Sequence, residues 1–112
     1  MRIVVATEDG KAASHFGHCS QFIVYETENG KVKSTEVVDN PYYKNHVAGE
    51  IPKFVESLKA DILIVDGIGK KAIALLEKMD IEVLSGNQGK AENLVDDYIK
   101  GKIRTNRNPC NH

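Results

Sequence analysis

The stretch Asp61 to Val65 (DILIV), followed by Asp66-Gly67-Ile68-Gly69, decides the fold of this chain. Its apolar residues are continuous rather than alternating, which is typical of a short strand buried on both faces of a sheet. Apolar residues then recur at helical spacing, at Ala72, Leu75, Leu76 and Met79. A second short apolar run, Ile81 to Leu84, follows this helix. The segment therefore predicts a β-α-β unit with parallel strands and a right-handed crossover.

Three more strands are predicted upstream, at Arg2 to Thr7, Gln21 to Thr27 and Val32 to Val38. Asn29-Gly30 separates the last two and supplies the positive φ angles of a tight hairpin. The charged residues within the third run indicate an edge strand. The residues from Glu8 to Ser20 are predicted to form a long loop.

Two further helices complete the pattern. One begins near Gly49 or Glu50, because Pro52 is tolerated only in a first turn. The other follows the turn Ser85 to Gly89. The order β-β-β-α-β-α-β-α predicts the α/β class: a three-layer α/β/α domain with a mixed five-stranded sheet whose second strand is antiparallel to the rest. We expect one domain over residues 1–102 and a polar tail over residues 103–112.

Composition excludes several classes of function. The chain has 112 residues, a net charge of −1 and a pI of about 6.4, so it offers no basic surface for nucleic acid or an anionic membrane. No apolar run approaches the roughly 20 residues of a membrane span. Without an export signal the expected compartment is the cytoplasm, where Cys19 and Cys110 should be reduced.

Strand directions bring four loops to one edge of the predicted sheet. They are the His15-Phe16-Gly17-His18-Cys19 loop, the segment from Asn40 to His46, the turn Asp66 to Gly69 and the turn Ser85 to Gly89. Open α/β sheets bind ligands at the carboxyl ends of their strands. Because two of these turns open helices, their free N–H groups favour an anion.

The residues at this edge include candidate metal ligands. Thiolate and imidazole bind zinc, copper(I) and iron–sulfur species, which makes His15, His18 and Cys19 candidates and adds His46 from the same edge. Cys110 and His112 are further candidates, since about 12 extended residues span roughly 40 Å.

Each of these features also has a structural interpretation. The histidines could be surface residues, Cys19 could be half-buried and Phe16 could anchor the loop in the core. Tight packing explains the Gly67-x-Gly69 turn as well as anion binding does. A different hypothesis is a two-metal site built on the strand-end carboxylates Asp9, Asp39 and Asp66.

Several segments together resemble the dinitrogenase iron–molybdenum cofactor family, which includes nitrogenase accessory factors and their small stand-alone relatives. The resemblance covers about residues 1–102. It is carried by RIVVAT, the Ser14 to His18 loop, QFIVYE, Asn40-Pro41, His46, Ile51-Pro52, the run from Ala60 to Ala72, Ile81 to Gly86 and Tyr98 to Gly101. His18 and Cys19 depart from the commoner family pattern, and the terminal Cys110-x-His112 lies outside it.

The resemblance implies a ribonuclease-H-like sheet without nuclease function that binds iron–sulfur or molybdenum-containing cluster precursors and passes them to partner proteins. It implies that His15 and His46 contact the cluster. The expected cofactor-binding positions are His15, Phe16, Gly17, His46, Gly67, Ile68, Gly69 and Gly86, and the expected metal ligands are Cys19, His15, His18 and His46.

Three hypotheses follow for the function. The first is a carrier of an anionic metal–sulfur cluster without enzymatic turnover, acting as a monomer or weak homodimer with cluster-donor or acceptor proteins. The second is a metal-free regulatory or interaction domain. The third is a metal-dependent phosphohydrolase or nuclease that uses the three aspartates.

Overall fold

A computed structural model describes residues 1–43 and 49–103 of the chain. Six strands form one sheet: β1 Arg2–Glu8, β2 Lys11–Ala12, β3 Gln21–Glu28, β4 Lys31–Asp39, β5 Ile62–Ile64 and β6 Glu82–Leu84. Three helices accompany them: α1 Glu50–Ser57, α2 Lys70–Lys78 and α3 Ala91–Ile99. A single 3₁₀ turn, Phe16–His18, lies between β2 and β3. In the described ranges no helix combines the length and apolar composition needed to cross a bilayer.

The sheet has the predicted mixed topology with one addition. Its strand order is β4-β3-β1-β5-β6, with β3 antiparallel to its neighbours and β5 parallel to both β1 and β6. The prediction of five strands was incomplete, because β2 pairs antiparallel with the end of β1. This strand has only two residues, too few to show any hydrophobic periodicity.

The two faces of the sheet are covered separately, which confirms the three-layer prediction. On one face α1 and α2 bury Ile51, Val55 and Leu76 against alternate residues of the strands. On the other face α3 buries Leu94 and Val95 against the intervening strand residues. Since β1 and β5 lie between both layers, β1 is buried from Ile3 to Thr7 and β5 is buried throughout, and both carry the continuous apolar runs seen in the sequence.

Two tight turns follow the same local rule. Asn29 and Gly30 have φ angles of 54° and 76°, as predicted for the hairpin joining β3 to β4. Asp9 and Gly10 have φ angles of 54° and 79° and join β1 to β2. An Asp-Gly pair is the same hairpin signal, so this turn was detectable within the predicted long loop.

Strand β4 is an outer strand of the sheet, and its sequence limits pairing with other chains. Eight of its nine residues are exposed. Its pairing with β3 shifts register between Glu26 and Thr27, opposite the segment that contains Lys33. Edge lysines and bulges are two devices that prevent edge-to-edge association.

Replacing Lys33 with valine is expected to promote self-association through β4, because the substitution replaces a charge with a β-branched apolar side chain. Size-exclusion chromatography over a concentration series measures this effect. Lys53→Val is the matched control, because each lysine lies near a glutamate: Lys33 is 2.6 Å from Glu28, and Lys53, on α1, is 4.0 Å from Glu50. Identical elution of the two variants at all concentrations would contradict the prediction.

Candidate functional site

The 3₁₀ turn Phe16–His18, together with its N-cap residue His15, presents two imidazoles at the carboxyl edge of the sheet. His15, which precedes the turn, and His18 are both exposed, and their ring centroids lie 6.2 Å apart at an interplanar angle of 86°. Phe16 points the other way, is buried, and lies 6.3 Å from the ring of Phe22. Phe16 therefore anchors the turn in the core rather than lining a ligand surface.

The start of this turn is held by the segment that follows β5. The Phe16 N–H donates to the Gly67 carbonyl at 2.8 Å, and the N–H groups of Asp66 and Gly67 donate to the Ala13 carbonyl at 3.2 and 3.3 Å. The approach is so close that a Cβ atom at Gly67 would lie 1.9 Å from the Ser14 carbonyl oxygen. Glycine is thus required here by the packing of one backbone on another.

Two predicted backbone donors are used inside the protein. The Gly67 N–H is bonded to Ala13, and the Gly86 N–H donates to the Asp66 carbonyl at 2.7 Å. These bonds show that the loops converge, and they engage the N–H groups of Gly67 and Gly86 within the protein.

The first turn of α2 retains the donors that the predicted anion site needs. The first N–H groups of any helix lack intrahelical acceptors and carry the positive end of the helix dipole. Here the N-cap is Gly69, no acidic residue lies in the first turn, and the helix opens with the exposed residues Lys70 and Lys71. Because the positive charges of the lysines and the dipole add, this end of α2 favours an anion.

Cys19, predicted as a thiolate ligand, is enclosed in the core beside Phe16 and Phe22, with 0% of its surface exposed. Burial raises the pKa of its thiol to about 12, while a hydrogen bond from Asn40 acts in the opposite direction. The thiol is therefore protonated near neutral pH, and it is enclosed in the core whereas the two imidazoles are exposed. Thiolate ligation by Cys19 finds no support in this conformation.

The remaining predicted residues divide into two groups. His46, Cys110 and His112 lie outside the described residues. Among the residues that are described, no three His, Cys, Asp or Glu side chains form a group that could hold a metal ion. Asp9, Asp39 and Asp66 all lie in those ranges, so the cluster required by the phosphohydrolase or nuclease hypothesis is not formed.

Comparisons with known proteins agree with this architecture. The family model described as dinitrogenase iron-molybdenum cofactor matches residues 1–101. Protein MJ0580 of Methanocaldococcus jannaschii is 26% identical over 105 residues, which are 92% of this chain and 89% of that protein.

Two solved structures share the fold. The crystal structure of PH0822 matches with a TM-score of 0.86 and 28% identity, covering 100% of both chains. The apo form of the orange protein from Desulfovibrio gigas matches with a TM-score of 0.83 and 23% identity, covering 95% of this chain and 92% of that one. With the family model matched over nearly the whole domain, the chain belongs to the dinitrogenase iron–molybdenum cofactor family.

Proposed function

We propose that this protein binds an anionic metal–sulfur cluster, either iron–sulfur or molybdenum-containing, and delivers it to a partner protein without catalysing a reaction. Membership of the family supports the class of cargo. The observation that carries the proposal is the hydrogen bond from the Phe16 N–H to the Gly67 carbonyl, which ties the turn carrying His15 and His18 to the segment that leads into α2.

The residues at this junction have complementary chemistry toward such a cargo. The imidazoles of His15 and His18 would ligate metal atoms of the cluster. The N–H groups of the first turn of α2 would donate to sulfide or oxo groups, and Lys70 and Lys71 would offset the negative charge. Because both histidines are exposed, the cluster would remain accessible for transfer to an acceptor protein.

Anaerobic reconstitution with ferrous iron, sulfide and molybdate, followed by desalting and metal analysis, tests the proposal. We expect the wild type to retain metal and the double variant His15→Ala/His18→Ala to retain about tenfold less, as expected for the loss of ligands. A colourless, metal-free wild-type protein would instead favour the metal-free interaction domain.

Neutralising Lys70 and Lys71 together with glutamine is expected to weaken retention severalfold, and the effect should diminish at high salt because exposed charges are screened. Lys78→Gln is the matched control. Lys78 lies in the last turn of the same helix, about 12 Å along the axis from Lys70. Equal losses per charge removed in the double variant and in Lys78→Gln would show that the effect of charge is general rather than local.

A further inference from the structure

Asn40, the residue after β4, is a buried polar side chain whose two polar atoms both have partners. It is 4% exposed. Its Nδ2 donates to the Cys19 carbonyl at 2.8 Å and lies 3.5 Å from the Cys19 sulfur. Its Oδ1 accepts from the Tyr42 N–H at 2.9 Å. The backbone of Asn40 also takes part, since its N–H donates to the Ser20 carbonyl at 3.0 Å and its carbonyl accepts from the Tyr43 N–H at 3.2 Å.

These contacts reach Cys19, at the end of the turn that carries His15 and His18. Cys19 terminates the 3₁₀ turn, and its own N–H bonds to the Phe16 carbonyl at 3.3 Å. Gly67 holds the start of the turn through the Phe16 N–H. The turn is therefore held at both ends by residues that are distant from it in sequence.

We infer that Asn40 is a positioning residue for the His15 and His18 imidazoles: its side-chain amide fixes the end of the turn that carries them. The consequence for cargo binding rests on the function proposed above, whereas the effect on imidazole geometry does not. This buried hydrogen bond favours one position of the turn, because any position that breaks it leaves the Cys19 carbonyl buried without a donor.

The primary amide is the group that satisfies both contacts at this length. Aspartate keeps an acceptor for the Tyr42 N–H but has no donor for the Cys19 carbonyl when ionised. Alanine removes both partners. Asn40→Asp and Asn40→Ala therefore separate loss of the contact to the turn from loss of the whole network.

NMR spectra of the metal-free protein test the inference directly. We expect the ring resonances of His15 and His18 to shift in both Asn40 variants. After reconstitution with ferrous iron, sulfide and molybdate, we expect both variants to retain about tenfold less metal than the wild type. Thr27→Val is the matched control. It removes another side-chain hydrogen bond made by a buried residue, the bond from Thr27 Oγ1 to the Met1 carbonyl at 3.2 Å, which lies at the opposite end of the sheet.

The outcomes are distinct for the two proposals. The positioning role of Asn40 would be overturned if a folded Asn40→Asp protein kept the His15 and His18 ring resonances of the wild type. It would also be overturned if Thr27→Val shifted these resonances as much as the Asn40 variants do. If the wild type retained no metal after reconstitution, the carrier function alone would be overturned, because the ring resonances of the metal-free protein would still report on Asn40. If neither Asn40 variant folds, hydrogen exchange of the wild type decides: rapid exchange of the Asn40 side-chain amide protons would contradict the inference.

Discussion

Gly67→Ala is expected to lower the free energy of unfolding by about 3 kcal/mol and to displace the turn that carries His15 and His18. The added methyl group would lie 1.9 Å from the Ser14 carbonyl oxygen and 3.0 Å from its carbon. Both are backbone atoms, so no rotamer change relieves the clash. The turn must move away from β5, and the Phe16 to Gly67 hydrogen bond would be lost with it.

Chemical denaturation measures the loss in stability, and the ring resonances of the two histidines report the displacement. Gly69→Ala is the control, because Gly69 has a φ angle of −77° and nothing lies within 4 Å of a Cβ atom at that position. We expect that substitution to change stability by less than about 1 kcal/mol. Equal stability of the two variants would show that the Gly67 contact is not required.

The buried thiol of Cys19 is expected to resist alkylation about a thousandfold more strongly than an ordinary cysteine at weakly alkaline pH. The reason is its pKa of about 12, raised from 9.0 chiefly by burial, with the nearby carboxylate of Glu8 contributing to the rise. Alkylation rates with iodoacetamide should be measured in a Cys110→Ser background, so that Cys19 is the only thiol. Rapid alkylation of the folded protein would contradict the burial.

The same thiol links stability to pH. The pKa of Cys19 is higher in the folded than in the unfolded state. Its contribution to the free energy of unfolding is therefore fully present below about pH 9 and is lost as the pH rises toward about 12. The pKa difference between the two states corresponds to a loss of at most about 4 kcal/mol in the free energy of unfolding, reached near pH 12. Other groups titrate in this range, so the quantity to measure is the difference in pH dependence between the wild type and Cys19→Ala. Parallel curves for the two proteins would rule out the linkage.

These properties separate two residues that are adjacent in the chain. His18 and Cys19 were predicted to act together as ligands, yet the structure exposes one and buries the other. The proposed site therefore depends on imidazoles and on the first turn of α2. A metal atom would reach the Cys19 sulfur only after the turn lost its bond to Asn40 and the packing around Phe16.

Local chemistry was sufficient to predict most of the scaffold. The apolar runs of β1 and β5, the positive φ angles at Asn29-Gly30, and the tolerance of Pro52 in a first turn are properties of short segments, so the sequence carries them directly. Strand direction then follows from connectivity, which is why the convergence of the loops was predictable. The Asp9-Gly10 turn was equally local and was overlooked.

The sequence by itself determined the α/β layers, the strand directions and the edge at which the histidines lie. The tertiary structure alone decided which of the polar groups at that edge are available. Cys19 is unavailable because the core encloses it and Asn40 donates to its carbonyl. The N–H groups of Gly67 and Gly86 are unavailable because they donate to carbonyl groups of neighbouring loops. The physical reason is that burial and hydrogen-bond partnership depend on residues 20 or more positions away, which no local pattern encodes.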